Sequence, residues 1–244
     1  MRVRAAAVGE LAAHWPEATG LLPASFGRKP DRLCVLELER SLDRRTAEPP
    51  EAPAEIADAV TALRLATAGP IAAGPVIFER LDWRPFGIRP ALPIAATQPA
   101  GEPTRLDSFR GRVAAELLPK LGVVEDDHEL AEALDRWELS LFQIDPFRSE
   151  QLRSSLTAAL GGDDGLWAAS VRAAALLGEN GRERADVHGR LRDLSTDGAL
   201  DTIRRALVEL LLQGNRSQLI AGLDETLLGL REPANVARLR AKAS

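Results

Sequence analysis

The sequence has one cysteine, three histidines and no tyrosine. A single cysteine, Cys34, excludes a disulfide within the chain and a cysteine-based zinc cluster. Because Cys34 stands in an apolar run, we expect a small buried hydrophobic residue there and not a nucleophile. The lack of paired cysteines favours a cytoplasmic location.

Long apolar runs are also missing. The first fifteen residues are interrupted by Glu10 and His14 before an apolar core of signal-peptide type can build up. No later window approaches the length of an apolar membrane span. We therefore expect neither export nor membrane insertion.

The chain has no excess of basic residues. Its formal net charge is -5 and its pI is near 5.4, whereas phosphate binding normally requires a basic surface. Nearly all positive charge is arginine, which together with abundant alanine is typical of a GC-rich, bacterial-like coding bias. Nucleic-acid binding is thus unlikely on charge alone, and it would need one shared face for Arg204, Arg205, Arg216, Arg231, Arg238 and Arg240.

Sequence motifs for catalysis and phosphate binding are absent. There is no Gly-x-Ser-x-Gly elbow, no Walker loop and no Gly-x-Gly-x-x-Gly after a predicted strand. Residues 161–165 (GGDDG) lack the alternating ligands and closing glutamate of a calcium loop, and they predict a helix-to-helix turn capped by Asp163 or Asp164. We expect no cofactor, and the motifs identify no catalytic residue.

The densest group of possible metal ligands is residues 125–129 (EDDHE). Glu125 and His128 have the Glu-x-x-His spacing of helical di-iron sites, but such a site needs a second pair. Neither His14 nor His188 has a glutamate three residues before it. Glu125 and His128 are therefore weak metal candidates, and no metal is expected.

The preferred interpretation of the same acidic residues is the first turn of a helix that ends near Phe142. Asp126 and Glu129 have capping-box spacing, and carboxylates are favoured by the helix dipole there. His188 follows Val187 in a segment rich in both charges, which indicates a histidine at the rim of the core.

Proline divides the chain into two regions. Thirteen of the 16 prolines lie at or before Pro103. Proline fixes φ and removes a backbone donor, so residues 1–104 are predicted to form a proline-rich α+β or irregular segment, packed on the rest, and 105–244 a helical domain. In the first region we predict a helix over 5–15, a strand over 33–39, a surface linker over 46–53, a helix over 54–68 and a short strand over 76–78.

The second region is predicted to be mainly α: an antiparallel multi-helix bundle or short helical array of about eight helices. Its breaks lie at glycine and Asp-Pro positions spaced by the ordinary length of a helix. Asp197 to Gln213 has the broadest apolar face and is predicted to be the central helix. Asp145-Pro146 predicts a helix start, and so does Asn215 with Gln218. We expect Trp137 and Trp167 to lie on the apolar stripes of their helices. The turns around Leu177 and Leu212 are similar and 35 residues apart, which leaves a solenoid as an alternative.

The most suggestive stretch is the proline- and glycine-punctuated segment 80–96, predicted to be a long irregular loop. It concentrates tryptophan, phenylalanine and arginine, which are common at interface hot spots. The contact candidates are Arg80, Trp83, Arg84, Phe86 and Arg89. The alternative is that the aromatic rings only pin the loop to the protein.

Two functions follow as expectations. The first is a non-catalytic helical interaction protein, such as an adaptor, an assembly subunit or a regulator, acting on a protein partner or by self-association. The alternative is an enzyme or small-molecule-binding protein with a pocket under the 80–96 loop that uses Arg and Asp or Glu side chains. A cleft with buried arginines and carboxylates would favour the alternative, and a flat apolar patch would favour the interaction protein.

Overall fold

The computed structural model describes residues 1–5, 34–41, 51–74, 76–82, 84–96 and 104–230. The chain divides into two compact units, Met1–Leu118 and Pro119–Ser244. The described part is mainly helical, with short strand pairs only in the first unit, so the predicted fold class is confirmed. Most of the predicted 5–15 helix and of the 46–53 linker lies outside the described residues.

In its described residues the first unit contains two antiparallel strand pairs and three α-helices. Its described elements are β1 (Arg2–Ala5), β2 (Cys34–Glu37), α1 (Ala52–Thr67), β3 (Val76–Leu81), β4 (Arg84–Pro90), α2 (Pro93–Ala96) and α3 (Ser108–Leu117). β1 pairs with β2, and β3 pairs with β4. The strand predicted over 33–39 is β2, and the helix predicted over 54–68 is α1.

The core of the first unit forms around α1, where Val60, Leu63 and Leu65 are buried. A proline in the first turn favours the start of α1, and Ala68 ends the helix in a left-handed conformation with φ 55°. α1 packs against α2 and α3. The fully buried Arg64 donates from Nε to Ile71 O (2.7 Å) and from Nη2 to Ile94 O (2.8 Å), so it fixes the chain on both sides of the β3–β4 hairpin.

Two predictions for the first unit are wrong. Segment 80–96 is not an irregular loop: it contributes the end of β3, the whole of β4, and α2. Its prolines are compatible with a strand because β4 pairs on one side only, and edge strands tolerate proline. Cys34 is exposed and not buried, because it begins a short strand at the end of a two-stranded pair.

The second unit contains six α-helices in its described residues. They are α4 (His128–Ser140), α5 (Phe147–Leu160), α6 (Gly165–Leu177), α7 (Gly181–Leu191), α8 (Asp197–Gln213) and α9 (Arg216–Leu227). A 3-10 helix over Leu118–Asp126 precedes α4, and another over Gly162–Asp164 precedes α6.

α8 is the centre of the second unit, as its sequence predicts. Ile203, Leu207 and Leu211 are completely buried, and α8 contacts each of α4, α5, α6, α7 and α9. A solenoid helix would contact only its near neighbours in the chain, so these contacts define a closed bundle. Leu212 departs from the prediction, because it is 39% exposed and does not widen the buried face.

Helix starts were predicted with mixed success. Asn215 caps α9 by accepting a hydrogen bond from Gln218 N, as expected. The cap of α4 is Asp127 and not Asp126, and Pro146 itself occupies the cap position of α5 without a side-chain bond. Asp164 precedes α6, but it makes no cap bond because its carboxylate pairs with an arginine of α6.

Candidate interaction surface

The β3–β4 hairpin carries the described members of the predicted contact group. Val76 pairs with Pro90 and Phe78 with Ile88, and cross-strand partners share a face of the sheet. Ile77 and Glu79 alternate onto the other face, opposite Arg89 and Gly87. Phe86 lies between the paired residues Pro85 and Gly87, at an irregularity in the register, and has no cross-strand partner there. One face of the hairpin is therefore apolar along most of its length.

This apolar face is only partly covered. No described residue of the hairpin is buried, and Phe86 is 66% exposed. Ile88 on this face is also exposed. Within the described residues, each strand of the hairpin has its extensive contacts with the other strand alone. Isolated two-stranded hairpins are marginally stable in water, so a hairpin of this kind gains stability from whatever covers its apolar face.

The arginines of the hairpin fall into two groups. Arg89 donates from Nε to Glu79 Oε2 at 3.1 Å and lies 3.9 Å from Glu51 Oε2, so it helps to hold the polar face. Arg80 and Arg84 are exposed near the turn. Arg84 pairs with Leu81, which alternates onto the same face as Arg89, whereas Arg80 alternates onto the face of Phe78. Trp83 lies outside the described residues.

Two arginines beside the hairpin have partners in the structure. The buried Arg64 donates to the backbone carbonyls of Ile71 and Ile94. The Arg89–Glu79 pair is partly exposed.

The weak metal candidates lie at the start of the second unit. His128 is the first residue of α4 and is exposed, and Glu125 belongs to the preceding 3-10 helix. Among the residues that the structure describes, no three histidine, cysteine or acidic side chains are grouped as metal ligands. His188 is half-buried beside the buried Val187, at the rim of the core.

Two buried arginines hold α9 against the rest of its unit. Arg172 on α6 donates to the carbonyls of Leu160 and Gly161 and to the carboxylates of Asp164 (2.6 Å) and Asp224 (2.7 and 2.9 Å). Hydrogen bonding to Asp224 is the main reason why the pKa of Arg172 is raised.

The second buried arginine is Arg216, at the first residue of α9. It lies 3.4 Å from Asp127 Oδ2 and also pairs with Glu129. Arg204 pairs with Asp201 on its own helix. Two of the arginines that a nucleic-acid face would require are thus used within the bundle.

A shallow depression of about 520 Å³ lies along α7 and the loop after it, lined by Ala185, Asp186, Gly189, Arg190, Asp193 and Thr196. Hydrogen bonds from the hydroxyl and the backbone N–H of Ser195 lower the pKa of the Asp193 carboxyl. These bonds stabilise the turn before α8.

Several exposed apolar side chains of the second unit were not predicted from the sequence. Trp167, predicted to continue an apolar stripe, is 74% exposed, whereas Trp137 is fully buried and donates from Nε1 to Leu200 O at 3.3 Å. Leu228 and Leu230, just after α9, are 73% and 75% exposed. The apolar spacing of the sequence did not predict that these side chains are exposed. Asp163 and Asp164, directly before α6, mark the first turn of that helix, which carries Trp167.

Comparisons with models of protein families, with curated proteins and with solved structures found no match. Across the described ranges, the helices are too short or too polar to cross a bilayer.

Proposed function

We propose that this chain is a non-catalytic helical interaction protein, an adaptor, assembly subunit or regulator, whose β3–β4 hairpin contacts a protein partner or a second copy. The observation that carries the proposal is the apolar face of the hairpin, with Phe86 66% exposed. A cytoplasmic location belongs to the proposal and is favoured by the single cysteine.

The hairpin has the features of a small recognition element. Covering the ring of Phe86 would contribute ~1.5 to 3 kcal/mol, and large aromatic side chains commonly dominate interface energies. Arg80 and Arg84 flank the turn and supply charged donors at the rim, where they add specificity and speed association. The open edge of β3, which contains no proline, offers backbone groups to a further strand.

The test compares Phe86→Ala with Phe109→Ala. Phe109 on α3 is 61% exposed in the same unit, so it matches Phe86 in chemistry and exposure. Each variant is expressed in the native cell, complexes are quantified by native mass spectrometry, and the dissociation constant is measured with the purified partner. We expect Phe86→Ala to weaken the complex at least about tenfold while the melting temperature stays close to that of the wild type.

Phe109→Ala should leave the same complex intact. If Phe86→Ala only lowers the melting temperature, the ring pins the hairpin within the monomer and the proposal is wrong. Equal loss of the complex in both variants would show that the effect is not specific to the hairpin.

A further inference from the structure

The β3–β4 hairpin ends in a tight turn. Leu81 pairs with Arg84, so only residues 82 and 83 connect the two strands. Asp82 has φ 49°, a left-handed conformation that is common in two-residue hairpin turns and that aspartate tolerates better than most residues. The register therefore fixes the residues on the two sides of the turn relative to one another.

Arg80 and Arg84 lie on opposite faces of this tip. Arg80 alternates onto the face of Phe78, whereas Arg84 is the partner of Leu81 and shares the other face with it. Both arginines are exposed. Arg89, farther from the turn, has acidic partners, but within the described part of the chain neither Arg80 nor Arg84 forms an ion pair. Each face of the tip thus carries a guanidinium group that is open to a partner.

The tip has a small excess of positive charge. Its described residues, 80–82 and 84–88, contain the two arginines and a single carboxylate, that of Asp82. The whole chain, in contrast, has a formal net charge of -5. An acidic protein with a small basic tip repels nucleic acid over most of its surface, so carboxylates of a protein partner match the tip better than phosphates do.

The shape of the hairpin restricts how a partner can reach both arginines. Paired strands are roughly 5 Å apart, so the hairpin is thin, and side chains on its two faces project to opposite sides. A flat partner surface would contact Arg80 or Arg84, whereas contact with both requires a cleft that receives the tip. Phe86, two residues after Arg84 in β4, is 66% exposed and supplies an apolar side chain at the same end.

We propose that the hairpin tip inserts into an acidic cleft of a different protein. Aspartate or glutamate side chains on the two walls of the cleft bind Arg80 and Arg84, and apolar residues of the cleft cover Phe86. This inference rests on the proposed function, in which the hairpin contacts a partner, and adds the charge and the shape of the partner's site. The depression along α7 of this chain contains Arg190, so in a second copy it would not provide a purely acidic lining.

The first test measures the dissociation constant of the purified partner for charge variants of the full chain. Arg80→Glu and Arg84→Glu should each weaken the complex at least about tenfold, because each brings like charges together. Arg112→Glu is the matched control, since Arg112 on α3 is also exposed and forms no ion pair among the described residues. Its complex should equal that of the wild type, and all three melting temperatures should stay close to the wild-type value.

The second test identifies the groups that face the two arginines. A carbodiimide joins an amine directly to a carboxylate that it touches, and the chain has only three lysines, so few other products form. In the complexes of Arg80→Lys and Arg84→Lys, mass spectrometry should find the introduced amine joined to aspartate or glutamate of the partner. The two positions should reach different segments of the partner, and Arg112→Lys should give no such product.

Unchanged binding by Arg80→Glu and Arg84→Glu, or no cross-link from either position to a partner carboxylate, would overturn the inference. An effect at only one of the two positions would indicate a flat surface and contradict the cleft. If Phe86→Ala still weakens the same complex in these cases, the proposed function stands and only the acidic cleft is wrong. If Phe86→Ala has no effect either, the proposed function fails as well.

Two further results would assign the tip to another occupant and so contradict the proposal. Cross-links confined to a homodimer would identify a second copy of this chain. Binding of a labelled DNA duplex that is lost with Arg80→Glu would identify nucleic acid.

Discussion

At the scale of single residues, buried arginines join separate segments of the chain through polar contacts. Arg64, Arg172 and Arg216 are at most 7% exposed. Arg64 and Arg172 donate to backbone carbonyls, and Arg172 and Arg216 also bind carboxylates from other helices. The planar guanidinium suits this task because its donors point in fixed directions, so one side chain joins several chain segments.

Asp107 gives a prediction at the same scale. It caps α3 by accepting a hydrogen bond from Arg110 N at 2.9 Å. That bond, followed by the charges of Arg110 and Arg105, lowers the pKa of its carboxyl below 3.8. The folded state then binds the proton more weakly than the unfolded state. The stabilising effect of the Asp107 carboxylate is complete above its ordinary pKa and is lost as the pH falls through its lowered pKa.

We therefore expect Asp107→Asn, which keeps a capping side chain, to be less stable than the wild type at neutral pH, with a difference that disappears below the lowered pKa. Chemical denaturation at a series of pH values measures this difference. An NMR titration of Asp107 with a midpoint at or above 3.8 would contradict the argument.

At the scale of elements, two helix starts repeat the same construction. Asn180 caps α7 and Asn215 caps α9, each accepting a hydrogen bond from the backbone N–H three residues on. The glycines before them differ: Gly178 is extended, with φ -106°, whereas Gly214 has φ 72°, a conformation that glycine adopts without strain. The 35-residue similarity in the sequence thus corresponds to two asparagine caps and not to one repeated turn.

Asn215→Ala should lower the free energy of unfolding by ~0.5 to 2 kcal/mol, because the N–H of Gln218 loses its acceptor. Asn215→Gly should cost only a few tenths of a kcal/mol, since glycine is tolerated at this position. Thermal and urea unfolding of the two variants provide the comparison. Equal losses for alanine and glycine would show that the side-chain bond does not stabilise α9.

These elements also show how far the sequence could predict the structure. The glycines at helix boundaries and the apolar spacing of α8 predicted the helices, because both signals are local in the sequence. The hairpin was missed because prolines every few residues hid the strand pattern, and the pairing of Phe78 with Ile88 is a contact between strands. Trp137 and Trp167 could not be distinguished from the sequence, because the burial of a side chain depends on what packs against it in the fold. Trp137 is covered by α8, where it donates a hydrogen bond to Leu200 O.

The candidate sites were harder to predict than the helices for the same reason. Arg172 binds Asp224 and Arg216 binds Asp127, across 52 and 89 positions of the sequence. No spacing rule links residues so far apart, and a coding bias towards arginine made these residues inconspicuous. The contact group at 80–89 was recognisable from composition alone, but its division between two faces required the register of the strands.

At the scale of the whole molecule, the described residues form two hydrophobic cores. One is centred on α1, with Leu65 fully buried, and the other on α8, with Leu207 fully buried. The two compact units, Met1–Leu118 and Pro119–Ser244, each contain one of these cores. Separate cores of this size normally unfold with separate stabilities.

We predict that Leu65→Ala and Leu207→Ala act on different units. Each substitution removes a completely buried side chain and should lower the stability of its own unit by ~2 to 5 kcal/mol. Amide hydrogen exchange resolved by mass spectrometry should show faster exchange within 1–118 for the first variant and within 119–244 for the second. Leu212→Ala, at a position 39% exposed, should have a smaller effect and serves as the control on α8. Faster exchange in both units from either single substitution would mean that the two cores unfold together, and the division of the molecule into two folding units would have to be abandoned.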